Sequence, residues 1–185
     1  MNLPDKTYSV IYADPPWSYK QHGTGPKSRG NAEQHYHTMR VEDICNLPVQ
    51  RLAGGGRGCA LFMWATFPTI PDALKVMDAW GFTYKTAAFV WVKKNGKSNT
   101  NFWGMGAYTR ANAEVCLLGV TPGFKANQNV KSHSVHQVIE APVQAHSVKP
   151  EETRRRIVEL LGDVPRIELF ARQRADGWDA WGDEL

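Results

Sequence analysis

The chain has 185 residues, of which 42% are hydrophobic, and its formal net charge is +4. A chain of this length is typical of one domain, and we expect a single domain over residues 1–185. No apolar run approaches the ~20 residues that span a bilayer, and the first residues lack the apolar core of a signal peptide. Three widely spaced cysteines are typical of reduced thiols. Composition therefore disfavours a membrane or secreted protein and favours a cytoplasmic one.

Short apolar runs bounded by polar or glycine residues predict strands that are covered on both faces. In chain order the predicted strands are 8–13, 59–66, 86–92, 113–120, 136–143 and 166–171. Two amphipathic segments predict helices: 71–81 begins at Pro71 and ends at Gly81, and 149–162 has glutamates in its first turn and ends at Gly162. Strands that alternate with helices indicate an α/β fold with a mainly parallel sheet.

Three long polar segments, 18–40, 94–110 and 121–135, are predicted to be irregular. Ligands of open α/β sheets bind beyond the carboxyl ends of the strands, so we expect these loops to gather there and face the substrate. The stretch from Lys93 to Arg110 is basic, contains aromatic rings and has no acidic residue. Such a stretch suits nucleic acid, whose phosphates attract cations and whose bases stack on rings, although it also suits a solvated loop. The candidate phosphate-binding cations are Lys93, Lys94, Lys97 and Arg110.

The first predicted strand leads directly into Asp14, Pro15, Pro16 and Trp17. Proline holds the preceding residue in an extended conformation, and the two prolines have fixed φ angles and no N–H groups. The turn therefore offers a carboxylate and carbonyl oxygens beside a flat apolar ring. It suits a planar base with a primary amine, such as adenine, whose two N–H groups would donate to Asp14 and a proline carbonyl. Accepting both bonds helps draw the amine nitrogen toward the tetrahedral geometry in which its lone pair can attack.

Simpler interpretations exist for these and other polar residues. The two prolines can merely end a strand, with the tryptophan packed in the core. His35 and His37 flank Tyr36, but no further ligands stand nearby at the spacing of a zinc site, so we predict no metal. Glu114 either orients the basic loop before it or pairs with Arg110, and the sequence does not decide between the two.

As a set, the motifs resemble the DPPW-type adenine N(6)-methyltransferases, a family named for the seventy-kilodalton subunit of the eukaryotic mRNA adenosine methyltransferase. The resemblance covers nearly the whole chain, with the motifs in the same order: VIYADPPW, HYHTM, LFMWAT, FVWVKKN, AEVCLLGV, AHSVKPEE, RIELFAR and GWDAWGDEL. The chain looks most like the short, stand-alone members found in bacteria and their phages.

The resemblance implies a Rossmann-like fold that binds S-adenosylmethionine, permuted so that the catalytic motif is N-terminal and the cofactor strand C-terminal. The sequence agrees, because it has no early strand–GxGxxG–helix unit. By resemblance, Asp14, Pro15, Pro16 and Trp17 hold the target adenine, and Tyr36 contacts its nucleotide. The cofactor-binding residues implied in the same way are Asp14, Lys149, Glu168, Arg172, Arg174, Asp183 and Glu184.

The chain departs from the eukaryotic members near its C-terminus. Arg174 and Ala175 stand where those proteins have a histidine and an asparagine, and Asp183 and Glu184 stand where they have an amide pair near the ribose. Carboxylates also accept hydrogen bonds from ribose hydroxyls, so Asp183 and Glu184 stay candidates. Ala175 has no polar side-chain atom and is excluded.

The sequence thus predicts a methyltransferase acting on the N(6) amine of adenine, in DNA or alternatively in RNA, with a homodimer or a partner subunit left open. A duplex adenine would have to be flipped out of the base stack. A non-catalytic, nucleic-acid-binding partner of an active homologue is the competing hypothesis, and the intact tetrad disfavours it. The predicted domain leaves no stretch for a separate recognition domain, so we expect short or relaxed sequence specificity.

Overall fold

A computed structural model describes residues 2–18, 38–54, 56–98, 100–106, 108–144 and 148–185. The strands are β1 Val10–Ala13, β2 Ala60–Ala65, β3 Thr83–Lys94, β4 Ala113–Val120, β5 Val138–Pro142, β6 Arg166–Leu169 and β7 Asp179–Trp181. The α-helices are α1 Val41–Cys45, α2 Ile70–Ala79, α3 Ala126–Asn129 and α4 Glu152–Leu161, and short 3-10 turns cover Val49–Arg51 and Phe67–Thr69. Within the described ranges the strands form one sheet in the order β5-β3-β4-β2-β1-β6-β7.

The α/β prediction is confirmed, since each predicted strand and both predicted helices are present. The chain turns out of α2 through Gly81, whose φ of 78° is a conformation that glycine adopts without strain. Strand β3 is longer than predicted because its exposed first half, which begins at Thr83, lacks the apolar run used to detect it. Strand β7 and helix α1 were not predicted, because three and five residues are too few to show a period.

The directions of the strands determine which chain segments lie at each end of the sheet. Among the strands that the structure describes, β4 alone runs against the others, pairing antiparallel with both β2 and β3, whereas the other pairings are parallel. The carboxyl ends of six strands and the first residues of β4 therefore lie together. We call this the carboxyl end of the sheet, and the other side the amino end.

One predicted loop lies at the wrong end for a substrate contact. Segment 121–135 leaves the reversed β4 and leads to β5, so it lies at the amino end of the sheet. The backbone N–H of Thr121 donates to the carbonyl of Cys59, just before β2, at 3.0 Å, and that of Lys131 donates to Leu160 at 2.7 Å. The prediction that this segment faces the substrate is therefore wrong, because the sequence pattern does not reveal the direction of β4.

Alternating residues of the inner strands face two separate cores. Ile11 of β1 faces the core covered by α1 and α2, whereas Tyr12 faces the core covered by α4. Both faces are apolar, which is why β1 and β2 are continuous hydrophobic runs rather than alternating ones. Three fully buried tryptophans each donate an indole hydrogen bond: Trp64 to the Tyr12 hydroxyl at 2.7 Å, Trp80 to the Ile44 carbonyl at 2.9 Å and Trp91 to the Ala141 carbonyl at 2.9 Å.

We expect the attachment of α4 to be sensitive to the side chain of Ile157, which is fully buried against the sheet. Ile157→Ala should lower the free energy of unfolding by about 2–5 kcal/mol, because it removes apolar contacts and leaves a cavity. Glu159→Ala, on the exposed face of the same helix, is the matched control and should change it by about 0.5 kcal/mol or less. Urea titration followed by circular dichroism measures both. Equal losses in the two variants would contradict this packing.

Candidate active site

A cavity opens at the carboxyl end of the sheet, where β1 and β2 end and β4 begins. The tetrad enters it directly from β1, Thr66 from β2, and Arg172 from the chain that follows β6. The lining residues are Asp14, Pro15, Pro16, Trp17, Trp64, Ala65, Thr66, Glu114, Lys149 and Arg172. Segments distant in sequence thus meet at the position that open α/β sheets use for ligands.

The tetrad forms a turn held by its own backbone and by its neighbours. The N–H of Trp17 donates to the carbonyl of Pro15 at 2.8 Å, and the N–H of Met39 donates to the carbonyl of Pro16 at 2.9 Å. The indole of Trp17 is 5% exposed and donates to the Trp64 carbonyl at 3.0 Å. Each proline carbonyl accepts one of these bonds and has a second lone pair that can accept another. Trp17 therefore both packs in the core and lines the cavity.

A row of alternating charges runs from this turn into the sheet. Lys149 Nζ lies 2.8 Å from Asp14 Oδ2 and 3.4 Å from Glu114 Oε2, and Lys93 Nζ lies 2.6 Å from Glu114 Oε1. The side chains of Lys149 and Glu114 are each 10% exposed, so water screens this row weakly. We call Asp14, Lys149, Glu114 and Lys93 the charge row. The structure thus decides which cations Glu114 pairs with: its partners are Lys93 and Lys149, not Arg110.

The charge row shifts the pKa values of its members. Burial would lower the pKa of Lys149, but the carboxylates of Asp14 and Glu114 outweigh burial and raise it. Burial would raise the pKa of Glu114, but Lys149 and Lys93 outweigh it and lower that pKa. For Asp14 burial dominates: its pKa is raised, with Glu114 adding to the rise and Lys149 opposing it. Within the row, burial therefore makes Asp14 easier to protonate than an exposed aspartate, whereas the two lysines keep Glu114 ionised more firmly than an exposed glutamate.

The structure brings some of the predicted cofactor residues together and separates others. Asp14, Lys149 and Arg172 share the cavity, and Arg172 Nε lies 3.7 Å from Glu184 Oε1. Arg174 lines a separate groove beside α4. Asp183 is exposed near the end of the chain.

Glu168 is buried in β6 and has a partner that the sequence analysis did not single out. Arg154 of α4 donates two hydrogen bonds to its carboxylate, at 2.7 and 2.9 Å. Burial raises the pKa of Glu168, and Arg154 opposes this rise. The pair joins α4 to β6 beside Tyr12, over whose ring the Arg154 guanidinium lies at 5.9 Å.

Two of the four cations predicted to bind phosphate are engaged elsewhere. Lys93 belongs to the charge row, and Lys94 Nζ lies 2.9 Å from Glu140 Oε1 and 3.0 Å from Asn101 Oδ1. Their assignment as phosphate ligands stays a prediction, with less support than that of Lys97 and Arg110, because carboxylates of the same chain already pair with them. Lys97 and Arg110 are exposed and stay candidates. Tyr36 lies outside the described residues.

Sequence reasoning left the role of Glu114 open and missed Thr66. A glutamate within the apolar stretch AEVCLLGV was a usable signal, since a buried carboxylate needs a partner. Thr66 offered no such signal, because it stands at a strand end among ordinary residues. Within the described ranges no group of three or more His, Cys, Asp or Glu side chains is arranged to hold a metal ion. None of the described helices has the length and apolarity needed to span a bilayer.

Comparison with known proteins identifies the family. The MT-A70 family model matches residues 8–184. The Type II methyltransferase M.MunI from Mycoplasma sp is 33% identical, and the alignment covers 99% of this chain and 80% of that protein. N(6)-adenosine-methyltransferase MT-A70-like from Arabidopsis thaliana is 27% identical, and the alignment covers 97% of this chain but only 24% of the Arabidopsis protein. The human N(6)-adenosine-methyltransferase catalytic subunit METTL3 is 28% identical over 96% of this chain and 28% of its own.

These matches confirm the resemblance inferred from the motifs, and the matched residues include every strand and helix around the cavity. The chain spans about a quarter of the eukaryotic relatives and most of the Mycoplasma protein. This chain therefore belongs to the MT-A70 family of methyltransferases.

Proposed function

We propose that the protein transfers a methyl group from S-adenosylmethionine to the N(6) amine of adenine in DNA. The observation that carries the proposal is the cavity itself, in which the Asp14 carboxylate and the proline carbonyls surround a ring-lined space that also receives Lys149 and Arg172. The names of the eukaryotic relatives support adenine as the base. DNA is favoured because a relative of which the chain covers 80% is a Type II methyltransferase, a class that modifies DNA.

The polar groups of the cavity fit the amino-acid end of the cofactor. Lys149 and Arg172 are cations that would hold its carboxylate, and the Asp14 carboxylate would accept from its ammonium group. When bound, S-adenosylmethionine supplies an electrophilic methyl group on a sulfonium sulfur. We include Glu168, Glu184 and Asp183 as cofactor ligands on family resemblance; Arg174, in its separate groove, has the weakest support.

The tetrad would orient and activate the amine. Asp14 and the unused lone pair of a proline carbonyl accept its two N–H bonds, while Trp17 contacts the base and excludes water. The amine becomes cationic as its new N–C bond forms and must then lose a proton. The Asp14 carboxylate is placed to accept that proton, because burial raises its pKa above that of an exposed aspartate.

RNA is the second candidate substrate, because the relatives named N(6)-adenosine-methyltransferases align with 96–97% of this chain. The intact tetrad and its cavity argue against a non-catalytic partner subunit, since such a subunit needs neither an amine acceptor nor paired cations beside it. Methylation of matched DNA and RNA strands by the purified chain separates the three possibilities.

We expect S-adenosylmethionine to stabilise the protein through Lys149. At about 100 times its dissociation constant the ligand should add ~2.7 kcal/mol of stability, which is a rise in Tm of about 5–10 °C for a domain of this size. Lys149→Met should lose most of this rise relative to its own ligand-free Tm, whereas Lys85→Met, at an exposed position on β3, should keep it. Thermal unfolding with and without ligand gives both values. A full rise in the Lys149 variant would refute the cofactor role of this residue.

We expect Asp14→Ala to lower turnover by about 10²–10³-fold, because it removes an acceptor from a preorganised site. Asp78→Ala replaces an exposed aspartate at the far end of α2 and should leave turnover unchanged. Transfer of a labelled methyl group to DNA and to RNA, with the product base identified, provides the measurement. Wild-type rates in the Asp14 variant would show that this carboxylate is not the amine acceptor.

We expect the acidic limb of the kcat/KM profile to depend on Asp14. Its raised pKa means that the carboxyl takes up a proton at a higher pH than an exposed aspartate does, and activity should fall as the pH drops through that value. In Asp14→Asn the residual activity should lose this limb, since an amide does not titrate. An unchanged acidic limb in the Asn variant would assign it to another group.

A further inference from the structure

A loop leaves the sheet beside the cavity and carries apolar side chains into solvent. We call residues 95–112, between β3 and β4, the β3–β4 loop. The loop forms two short paired segments, because Lys94 bridges Asn101 and Gly104 bridges Ala111. In the second segment the N–H of Gly104 donates to the Ala111 carbonyl at 2.8 Å, and at the base of the loop the N–H of Lys93 donates to the Asn112 carbonyl at 2.8 Å. A side chain on Gly104 would clash with the Ala111 carbonyl oxygen, so the second paired segment is tightly closed.

Exposed apolar side chains lie in the second paired segment of this loop and directly before it. Trp103 is 59% exposed, Met105 is 92% exposed and Tyr108 is fully exposed. A single exposed apolar residue needs no explanation, but a cluster beside a functional cavity indicates a binding surface. Arg110 Nη1 lies 3.8 Å from Met105 Sδ, so a guanidinium group contacts one of these apolar side chains. Lys97 is exposed as well, and the loop sequence contains no acidic residue.

The base of the loop is anchored in the active site. Lys93 precedes the loop and pairs with Glu114, which follows it, at 2.6 Å, and Glu114 is joined through Lys149 to Asp14. Two ion pairs, Glu114 with Lys149 and Lys149 with Asp14, thus connect the residue after the loop to the carboxylate that would accept the target amine. A nucleic acid whose adenine reached Asp14 would have its neighbouring bases and phosphates near this loop.

We propose that the β3–β4 loop enters duplex DNA at the target site, and that Met105 and Tyr108 fill the gap left in the base stack when the adenine turns into the cavity. The inference rests on the proposed function. Because Trp17 is buried beside the cavity, a base that remained stacked in a duplex would not reach it, and unstacking costs a few kcal/mol. Proteins insert apolar side chains between base steps, and contacts between such side chains and the neighbouring bases offset part of this cost. Lys97 and Arg110 suit the flanking phosphates. A loop with cations and no carboxylate favours DNA over a protein partner.

The test compares three DNA substrates of one sequence: a paired duplex, a duplex with an abasic site opposite the target adenine, and the single strand. Met105→Ala combined with Tyr108→Ala should lower kcat/KM on the paired duplex by about 10–100-fold, by analogy with the loss of base–aromatic stacking. The loss should be much smaller on the other two substrates, where the adenine is already unpaired. Tyr84→Ala replaces an exposed aromatic residue at the amino end of the sheet and should change none of the three.

A second readout follows base flipping directly. With 2-aminopurine at the target position, wild-type protein should raise the fluorescence of the duplex, and the double variant should not. Equal losses on all three substrates, or no loss on any, would overturn the inference and leave the methyltransferase proposal standing. If the wild type were an oligomer in solution and the double variant a smaller one, the inference would be overturned in favour of an interface between copies of this chain. If the wild type methylated none of the three substrates, the proposed DNA function would fail and this inference with it.

Discussion

The site depends on the charge row, because four side chains from separate parts of the chain neutralise one another there. Asp14 follows β1, Lys93 is near the end of β3, Glu114 is near the start of β4, and Lys149 precedes α4. An unpaired charge at such a poorly solvated position is strongly destabilising. The row therefore requires these elements to be in place together. It holds the Asp14 carboxylate in the lining of the cavity, where burial raises its pKa.

The reversed direction of β4 makes the row possible. Glu114 is the second residue of β4, and a strand that runs against its neighbours begins where they end. In a fully parallel sheet this glutamate would lie at the amino end, away from Asp14. The same reversal places the β3–β4 loop beside the cavity and sends segment 121–135 to the other side. One strand direction thus determines which connections can meet a substrate.

The sequence was sufficient for the local features of this fold and insufficient for the pairings. Continuous apolar runs revealed β1 and β2 because both of their faces are buried. The position of Asp14 after β1 was enough to place it at the carboxyl end of the sheet, where it lines the cavity. The sequence pattern could not predict the ion-pair partners of Lys93, Lys94 and Glu114. They depend on the order in which β3, β4, β2 and β1 lie side by side, and contacts between elements distant in sequence set that order. The family resemblance implied roles for single residues, whereas the structure shows which of them share a cavity.

The connections at the amino end of the sheet should tolerate inserted residues better than those at the carboxyl end. Segment 121–135 and the turn before β2 contact each other there, with Asn129 Nδ2 donating to the Arg57 carbonyl at 3.3 Å, and neither contributes to the cavity lining. Surface connections of this kind tolerate insertion better than segments that carry a site. A fused domain that enters and leaves the chain at this end would sit across the sheet from the chemistry, so extra sequence recognition could be added to this fold without rebuilding its catalytic side.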